Sequence, residues 1–209
     1  AATMIAMHVR EATGEGQHVD VSMQQCIALT LYNAPETWDL NRRNVERSGR
    51  MIVRPLTGLR RTQTWACKDG YVSMILFGAR RARENRALVN WMNEGGMAND
   101  FLLQFGWEGW DLERTTQATI DRIEEPISKF FLSHTKAELY RGSMGRGFLL
   151  FPVNDAKDIM EDKQLAARNF WLKVNHPELE TQITYPGFFI KSSQVYCGIR
   201  ARAPLVGEH

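Results

Sequence analysis

Asp20, Asp155, Glu161 and Asp162 are the carboxylates with the best claim to covalent chemistry in this chain. A nucleophilic carboxylate needs an apolar pocket and a donor that orients it, and the spacing of these four supplies neither. Asp155 reads better as helix-start chemistry, Glu161-Asp162 as a solvated face, and Asp20 as the wet side of a strand. His176-Pro177-Glu178 offers an acid/base pair on paper. Proline pushes its predecessor into extended or turn geometry, so a structural turn is the preferred reading. His8, His18, His134, His176 and His209 never fall at the i, i+4 spacing of a helical zinc site. Cys26, Cys67 and Cys197 lie far apart with no metal-ligand pattern, so no metal site is expected and the thiols read as reduced, in a cytoplasmic protein. Ser22, Ser73, Ser143 and Ser192 sit in no nucleophile-elbow pattern. Gly142-Ser143-Met144-Gly145-Arg146-Gly147 precedes a strand instead of opening a helix, the wrong order for a phosphate cradle, and is expected to turn the chain.

Binding chemistry has more candidates. Arg80, Arg81, Arg83 and Arg86, interrupted by Glu84, suit a solvated helix face better than an anion site. Trp65, Trp91, Trp107, Trp110 and Trp171, with Phe101 and Phe105, suit either a packed core or an aromatic acyl pocket; large aromatics favour the core. Trp107-Glu108-Gly109-Trp110 is the exception, expected as an exposed loop over a ligand. With 26 basic against 24 acidic residues and a net charge of +2, nothing argues for nucleic acid. No apolar run approaches the roughly 20 residues that span a bilayer, so no membrane partner is expected.

The elements that would position these groups follow from periodicity and punctuation. Ala1–Ala12 reads as a helix with Met4, Ile5, His8 and Val9 along one stripe, Thr13–Gly16 as a turn, His18–Ser22 as a short strand. Met23 to about Ala34 is helical, with Pro35 ending or bending it. Asn41–Arg61 is polar, basic and broken by Gly49, Pro55 and Gly58, which reads as a linker or long functional loop. Lys68-Asp69-Gly70 between two β-like runs signals a hairpin. Helices are expected over Ala79–Asn93 and 115–132, the second carrying Ile120, Ile123, Ile127, Phe130 and Phe131 inward and split at Pro126. Thr135 and Glu138 have the spacing of a capping box for a further helix. Phe148–Val153 reads as a strand, Asp155–Arg168 as a helix, and Phe170–Val174 as a strand.

One ordered series of motifs carries a resemblance. Pro152-Val153-Asn154-Asp155 leads to Glu161-Asp162-Lys163-Gln164-Leu165-Ala166-Ala167-Arg168-Asn169-Phe170. His176-Pro177-Glu178-Leu179, Tyr185-Pro186-Gly187 and Ala203-Pro204-Leu205-Val206-Gly207-Glu208-His209 follow in order. With Arg10-Glu11-Ala12-Thr13-Gly14-Glu15-Gly16-Gln17-His18-Val19-Asp20-Val21-Ser22, the series resembles the C-terminal half of the family III CoA-transferases, the carnitine-dehydratase/bile-acid-inducible type. Ala1 opens inside a helix without a start methionine, and His209 sits in a motif the family continues, so truncation at both ends is expected.

The resemblance implies an α/β fold with a mixed α+β small domain: the C-terminal part of a Rossmann-like large domain plus an inserted small domain. Residues 1–40 would belong to the large domain, 41–60 to a linker, 61–153 to the small domain, and 154–209 to a second linker and the return to the large domain. It implies an acyl-CoA:carboxylate CoA-transferase in which an aspartate passes through an anhydride and a thioester. That aspartate lies before the region matching Ala1, so this chain has no catalytic residue and is expected to be inactive alone. Coenzyme A thioester is implied as substrate, with no covalently bound cofactor, alongside a carboxylic acid. The implied assembly is an interlocked homodimer completed by the missing N-terminal segment. An α-methylacyl-CoA racemase-type isomerase of the same fold and a non-catalytic partner subunit stay open. The family's arginine-x-glycine segment falls at Arg47-Ser48-Gly49-Arg50. Where the formyl-CoA transferase branch runs glycines, this chain has Met51-Ile52-Val53-Arg54-Pro55-Leu56-Thr57-Gly58, which points away from oxalate or formate and toward a bulkier or aromatic acyl group. Arg50, Arg54, Gly58 and Arg60 are the implied contacts of a substrate acid.

Overall fold

The computed structural model describes residues 1–54 and 57–208. Pro55, Leu56 and His209, read above as parts of the linker and the closing motif, lie outside the described residues. The mixed α/β chain divides into two compact units, Ala1–Phe151 and Pro152–His209.

The first unit opens with helices α1 (Ala2–Thr13), α2 (Met23–Thr30) and α3 (Asn33–Asn41). Gly14 ends α1 with a left-handed φ of 76° and returns its N–H to the Arg10 carbonyl, a cap glycine makes without steric cost. Residues 18–22 form no strand, contrary to their alternation; among the described residues no strand pairs with them. Ser22 instead caps α2, its hydroxyl accepting from Gln25 N–H at 3.3 Å. Pro35 does not terminate α2; it sits in the first turn of α3, where a missing N–H is tolerated. None of these three helices buries a residue. Ile5, Leu29 and Leu40 remain 65%, 74% and 80% exposed.

Two strands form where the composition reads as a linker. β1 (Met51–Val53) pairs antiparallel with β2 (Arg60–Thr62), placing Met51 opposite Thr62 and Val53 opposite Arg60. β3 (Thr64–Cys67) and β4 (Gly70–Ser73) make the expected hairpin around Lys68-Asp69. The Asp69 carboxylate accepts from Lys136 N–H at 2.7 Å, tying the turn to the start of a helix far along the chain. A short strand, β5 (Phe151–Val153), follows β4 in the sheet order; Phe148 and Leu150, expected within it, are buried just before it.

The core sits beneath this sheet and is built mainly by α4 (Ala82–Glu94), α5 (Asp100–Gln104), α6 (Gln117–Leu132) and α7 (Lys136–Arg146). Ile120, Ile123, Ile127, Phe130 and Phe131 of α6 are at most 1% exposed, each contributing about 1.5–3 kcal/mol by burial. Trp65 meets Phe131 edge-on at 5.4 Å, and Trp91 of α4 meets Phe130 at 5.0 Å. Pro126 does not split α6; burial on both sides of it outweighs the lost backbone bond. α7 has the full capping box, Thr135 Oγ1 accepting from Glu138 N–H at 3.3 Å and Glu138 accepting from Thr135 N–H at 2.8 Å. It also runs straight through Gly142 and Gly145, which do not break it. A Cβ on Gly142 would lie 2.2 Å from the Trp91 ring, so glycine there makes room for a neighbour and not for a turn.

Trp107 and Trp110 are buried, not displayed over a ligand. Each indole N–H has a partner, the Leu102 carbonyl at 3.2 Å and Thr115 Oγ1 at 2.8 Å, which lets the rings enter the core.

The second unit holds α8 (Ala156–Met160), α9 (Lys163–Ala167) and the hairpin of β6 (Trp171–His176) with β7 (Thr181–Pro186). Asp155 caps α8 through a capping box, as helix-start chemistry requires. Asp162 is more than a solvated face: it caps α9 and divides the single helix expected over 155–168. His176-Pro177-Glu178 is a turn, with Pro177–Leu179 forming a short 3-10 helix. His176 Nδ1 lies 2.9 Å from Glu178 Oε1 and its Nε2 lies 3.0 Å from Tyr185 OH, so both ring nitrogens are occupied. Arg202 joins the same group, 3.0 Å from Glu178 and 2.7 Å from Glu208. Among the described residues no helix is long and apolar enough to cross a membrane.

Candidate functional site

The β1–β2 hairpin places the predicted contact residues. Arg54 N–H donates to the Leu59 carbonyl at 2.9 Å, and Gly58 N–H donates to the Arg54 carbonyl at 2.9 Å. Gly58 has a φ of +71°, a conformation that would strain any residue with a Cβ. Antiparallel pairing alternates which residues bond across the strand pair and which face outward. Arg54 with Leu59 and Arg50 with Gln63 bond across, leaving the backbones of Arg60 and Thr62 to face away from β1.

Side chains of α6 meet those outward groups. Gln117 Oε1 accepts from Arg60 N–H at 2.9 Å while Gln117 Nε2 donates to the Arg60 carbonyl at 2.9 Å. Two helical turns on, the Glu124 carboxylate accepts from Thr62 N–H at 2.8 Å and from Thr62 Oγ1 at 2.7 Å. Burial pushes the Glu124 carboxyl above the usual glutamate range, although its bonds from Thr62 pull the other way. Arg61, between them, is buried and donates through Nη1 to the Leu76 carbonyl at 2.5 Å. Burial, then the neighbouring Arg54, lowers the Arg61 pKa, and Glu124 partly restores it. Arg61 Nε is buried with no partner among the described residues.

Arg54, Gly58 and Arg60 together line a cavity of about 440 Å³, with Val53, Arg43 and Arg47 completing its chemistry. Arg50 is not among the lining residues; its carbonyl is spent accepting from Gln63 and Thr64 N–H at 2.9 and 3.1 Å. Glu46 is the acid in the wall. Arg54 is ion-paired with Glu113, whereas Arg43, Arg47 and Arg60 have no carboxylate partner among the described residues. Guanidinium groups donate and do not titrate usefully, so this arrangement orients an anion and does not itself exchange protons. Arg43 was not among the sequence candidates, because only the fold brings the segment after α3 beside the hairpin tip to line this cavity. Arg47 lay in the quoted arginine-x-glycine segment, the signal that pointed to it.

A second cavity, about 600 Å³, lies in the second unit, with Lys173, Arg200, Arg202 and Glu208 among its lining. Arg202 there is committed to Glu178 and Glu208. Asp20 is exposed and Asp155 and Asp162 are helix caps, so none stands in an apolar pocket with an orienting donor. Among the described residues no three His, Cys, Asp or Glu side chains cluster as metal ligands. Cys26, Cys67 and Cys197 are free thiols.

The family profile described as CoA-transferase family III matches residues 1–209. Subunit BbsE of the succinyl-CoA:(R)-benzylsuccinate CoA-transferase of Thauera aromatica is 28% identical over 98% of this chain and 48% of its own length. The succinyl-CoA:mesaconate CoA-transferase of Haloarcula hispanica is 26% identical over 99% of this chain and 48% of its own. The beta subunit of the succinyl-CoA–L-malate CoA-transferase of Chloroflexus aurantiacus is 20% identical, with the same 48% of its length covered. A CAIB/BAIF family protein from Brucella suis superposes with a TM-score of 0.61 at 18% identity, over all of this chain and 50% of that one. The chain thus spans about half the length of the curated relatives it matches, and its fold is that of half of a CAIB/BAIF protein.

Proposed function

We propose, proceeding from the fact that this chain belongs to CoA-transferase family III, that it is a portion of an acyl-CoA:carboxylate CoA-transferase whose reactive aspartate lies in a segment outside these residues. That aspartate attacks the donor thioester to give a mixed anhydride and free CoA thiolate. The thiolate then attacks the enzyme acyl carbon, releasing the donor acid and leaving a thioester on the aspartate. The acceptor carboxylate attacks that thioester, expelling CoA thiolate and forming a second anhydride, and the thiolate then attacks the acceptor's acyl carbon, which releases the new CoA thioester and regenerates the aspartate carboxylate. The contribution of this chain is to hold the substrate acid, through the hairpin carrying Arg54, Gly58 and Arg60. Arg50 assists by fixing the hairpin backbone. A bulkier or aromatic acyl group fits the departure from a glycine run, in keeping with a relative named for benzylsuccinate.

The observation that carries this reading is the match of all 209 residues to the family at about half the length of relatives named as CoA-transferases. Those names favour transfer over the racemase-type reaction. The partner is then an N-terminal segment and a second copy, interlocked, working in the cytoplasm on acyl-CoA and a free acid. Such a segment would account for the apolar side chains of α1–α3, such as Ile5, Leu29 and Leu40, that stay exposed among the described residues.

The test is a polypeptide of the relatives' length carrying this chain, incubated with succinyl-CoA and a series of acids. CoA exchange between acids supports the proposal. Solvent deuterium entering at the carbon α to the thioester without an acceptor would replace it with the racemase reading. Two of the relatives are named as subunits, which favours a second arrangement in which this chain belongs to one of two unlike subunits. Exchange appearing only after a distinct subunit is added would establish that arrangement.

A further inference from the structure

β2 is held on three successive residues by contacts from outside the hairpin. Gln117 of α6 takes both backbone groups of Arg60, accepting from its N–H and donating to its C=O, each at 2.9 Å. Arg61 sends its guanidinium inward to the Leu76 carbonyl. Thr62 gives its N–H and its hydroxyl to Glu124, and both residues are buried. β1 is laid on this strand by antiparallel pairing. The tip closes with Arg54 N–H on the Leu59 carbonyl and Gly58 N–H on the Arg54 carbonyl. The tip therefore stands where β2 stands. Arg60 is the residue of β2 next to the tip, so Gln117 governs it most directly. Gln117 is itself oriented. Its Nε2 carries two hydrogens; one goes to the Arg60 carbonyl and the other to Asp121 Oδ1 at 2.8 Å. A carboxylate only accepts, so Asp121 keeps Nε2 turned toward it and leaves Oε1 for the Arg60 N–H. A flipped amide would set oxygen against oxygen at Asp121 and at the Arg60 carbonyl. An ionised glutamate in this place would accept but not donate, and a lysine would donate but not accept.

We propose that Gln117 is a positioning residue: oriented by Asp121, it fixes Arg60 and so sets where the hairpin tip, with Arg54 and Gly58, stands. The inference deepens the transferase reading and rests on it for its meaning in catalysis. In that reading the tip meets the substrate acid, and a long guanidinium side chain meets an acid reproducibly only when its backbone is fixed. Gln117 touches no substrate in this arrangement and acts through Arg60. Removing it weakens the hold on the acid before and in the transition state alike, which raises KM and spares kcat. A folding defect does the opposite, lowering kcat through loss of active protein while KM stays put.

Two measurements test it, and they fail separately. The first is amide hydrogen exchange, which reads position without chemistry, in this chain and in the polypeptide of the relatives' length. Gln117→Ala should accelerate exchange of the Arg60 N–H about tenfold and carry the Arg54 and Gly58 N–H groups with it. Acceleration confined to Arg60 overturns the proposal, because Gln117 would then serve one residue and not the tip. No acceleration overturns it as well. Gln117→Glu should match Gln117→Ala at neutral pH and regain protection as pH falls through the carboxyl range, where the protonated acid again has a hydrogen for the Arg60 carbonyl. Full protection in Gln117→Glu at neutral pH overturns the need for a donor and with it the proposal. Matching circular dichroism and melting of the variants removes misfolding as the cause. Glu125→Gln, which breaks only an exposed pair with Lys129 on the same helix, should leave these rates unchanged. The second measurement is kinetic, in the longer polypeptide. Gln117→Ala should raise KM for the acceptor acid about 3- to 10-fold, with kcat within about twofold of the parent. A fall in kcat at constant KM overturns the positioning role. No CoA exchange by the parent with any acid, while the tip amides still answer to Gln117, would sink the transferase reading and spare the hold of Gln117 on the tip.

Discussion

Residues 1–50 and residues 59–150 are both rich in apolar side chains at helical spacing, yet only the second stretch buries them. Phe131 and Ile127 of α6 are fully buried, while Met4, Ile5, Leu29 and Leu40 of the opening helices stand in the open. Propensity and caps are adequate in both stretches: Gly14 closes α1 and Ser22 opens α2 as competently as Thr135 opens α7. The difference teaches that periodicity specifies which face of a helix is apolar, and a packing partner decides whether that face stabilises anything. In α6 the partners are Trp65 and Trp91. For α1–α3 no buried partner exists among the described residues.

The sharpest way to break this contrast is truncation on each side of it. Phe131→Ala should lose about 3–5 kcal/mol of stability in urea denaturation, the lost burial adding to the cavity left against Trp65. A loss below about 1 kcal/mol would mean the core is not the cooperative unit. Thr135→Ala removes one half of a reciprocal cap and should cost about 1 kcal/mol by the same assay. Ile5→Ser should change stability by no more than about 0.5 kcal/mol in this chain, since the side chain is already wet. A large loss there would erase the comparison. In the polypeptide of the relatives' length the same substitution should become costly, because the proposed N-terminal segment would then cover it.

Burial raises the Glu124 carboxyl, so the native state holds its proton more firmly than the unfolded chain does. The associated stability is fully present below the ordinary glutamate range and is lost as pH rises through the raised value. Glu124→Gln keeps an acceptor for Thr62 N–H and cannot ionise. Urea midpoints followed from acid to neutral pH should therefore decline less in the variant than in the parent. An unaltered slope would show that Glu124 is solvated in the native state.

What was legible in the sequence is what local signals write. The stripe of Ile120, Ile123, Ile127, Phe130 and Phe131, the Thr135–Glu138 box and the Lys68-Asp69-Gly70 turn each need only their near neighbours. β1 and β2 were invisible because Arg60-Arg61-Thr62 has no strand-like alternation. Its conformation is set by Gln117 and Glu124, about 60 residues away. Gly142 misled for the same reason: its lack of a side chain answers to Trp91 and not to a bend. Arg54, Gly58 and Arg60, proposed from the family resemblance, line one cavity. Arg43 could not be read there, because a cavity wall is a property of folded chain and not of spacing.

The grip of Gln117 and Glu124 on β2 has a consequence for the life of the chain outside its function. A two-stranded ribbon ordinarily offers an unpaired rim on which a foreign strand can assemble. Here three of the rim's hydrogen-bonding groups, the Arg60 N–H and C=O and the Thr62 N–H, are already occupied by a helix. Cutting those two side chains back would reopen the rim and invite fibre-like self-association.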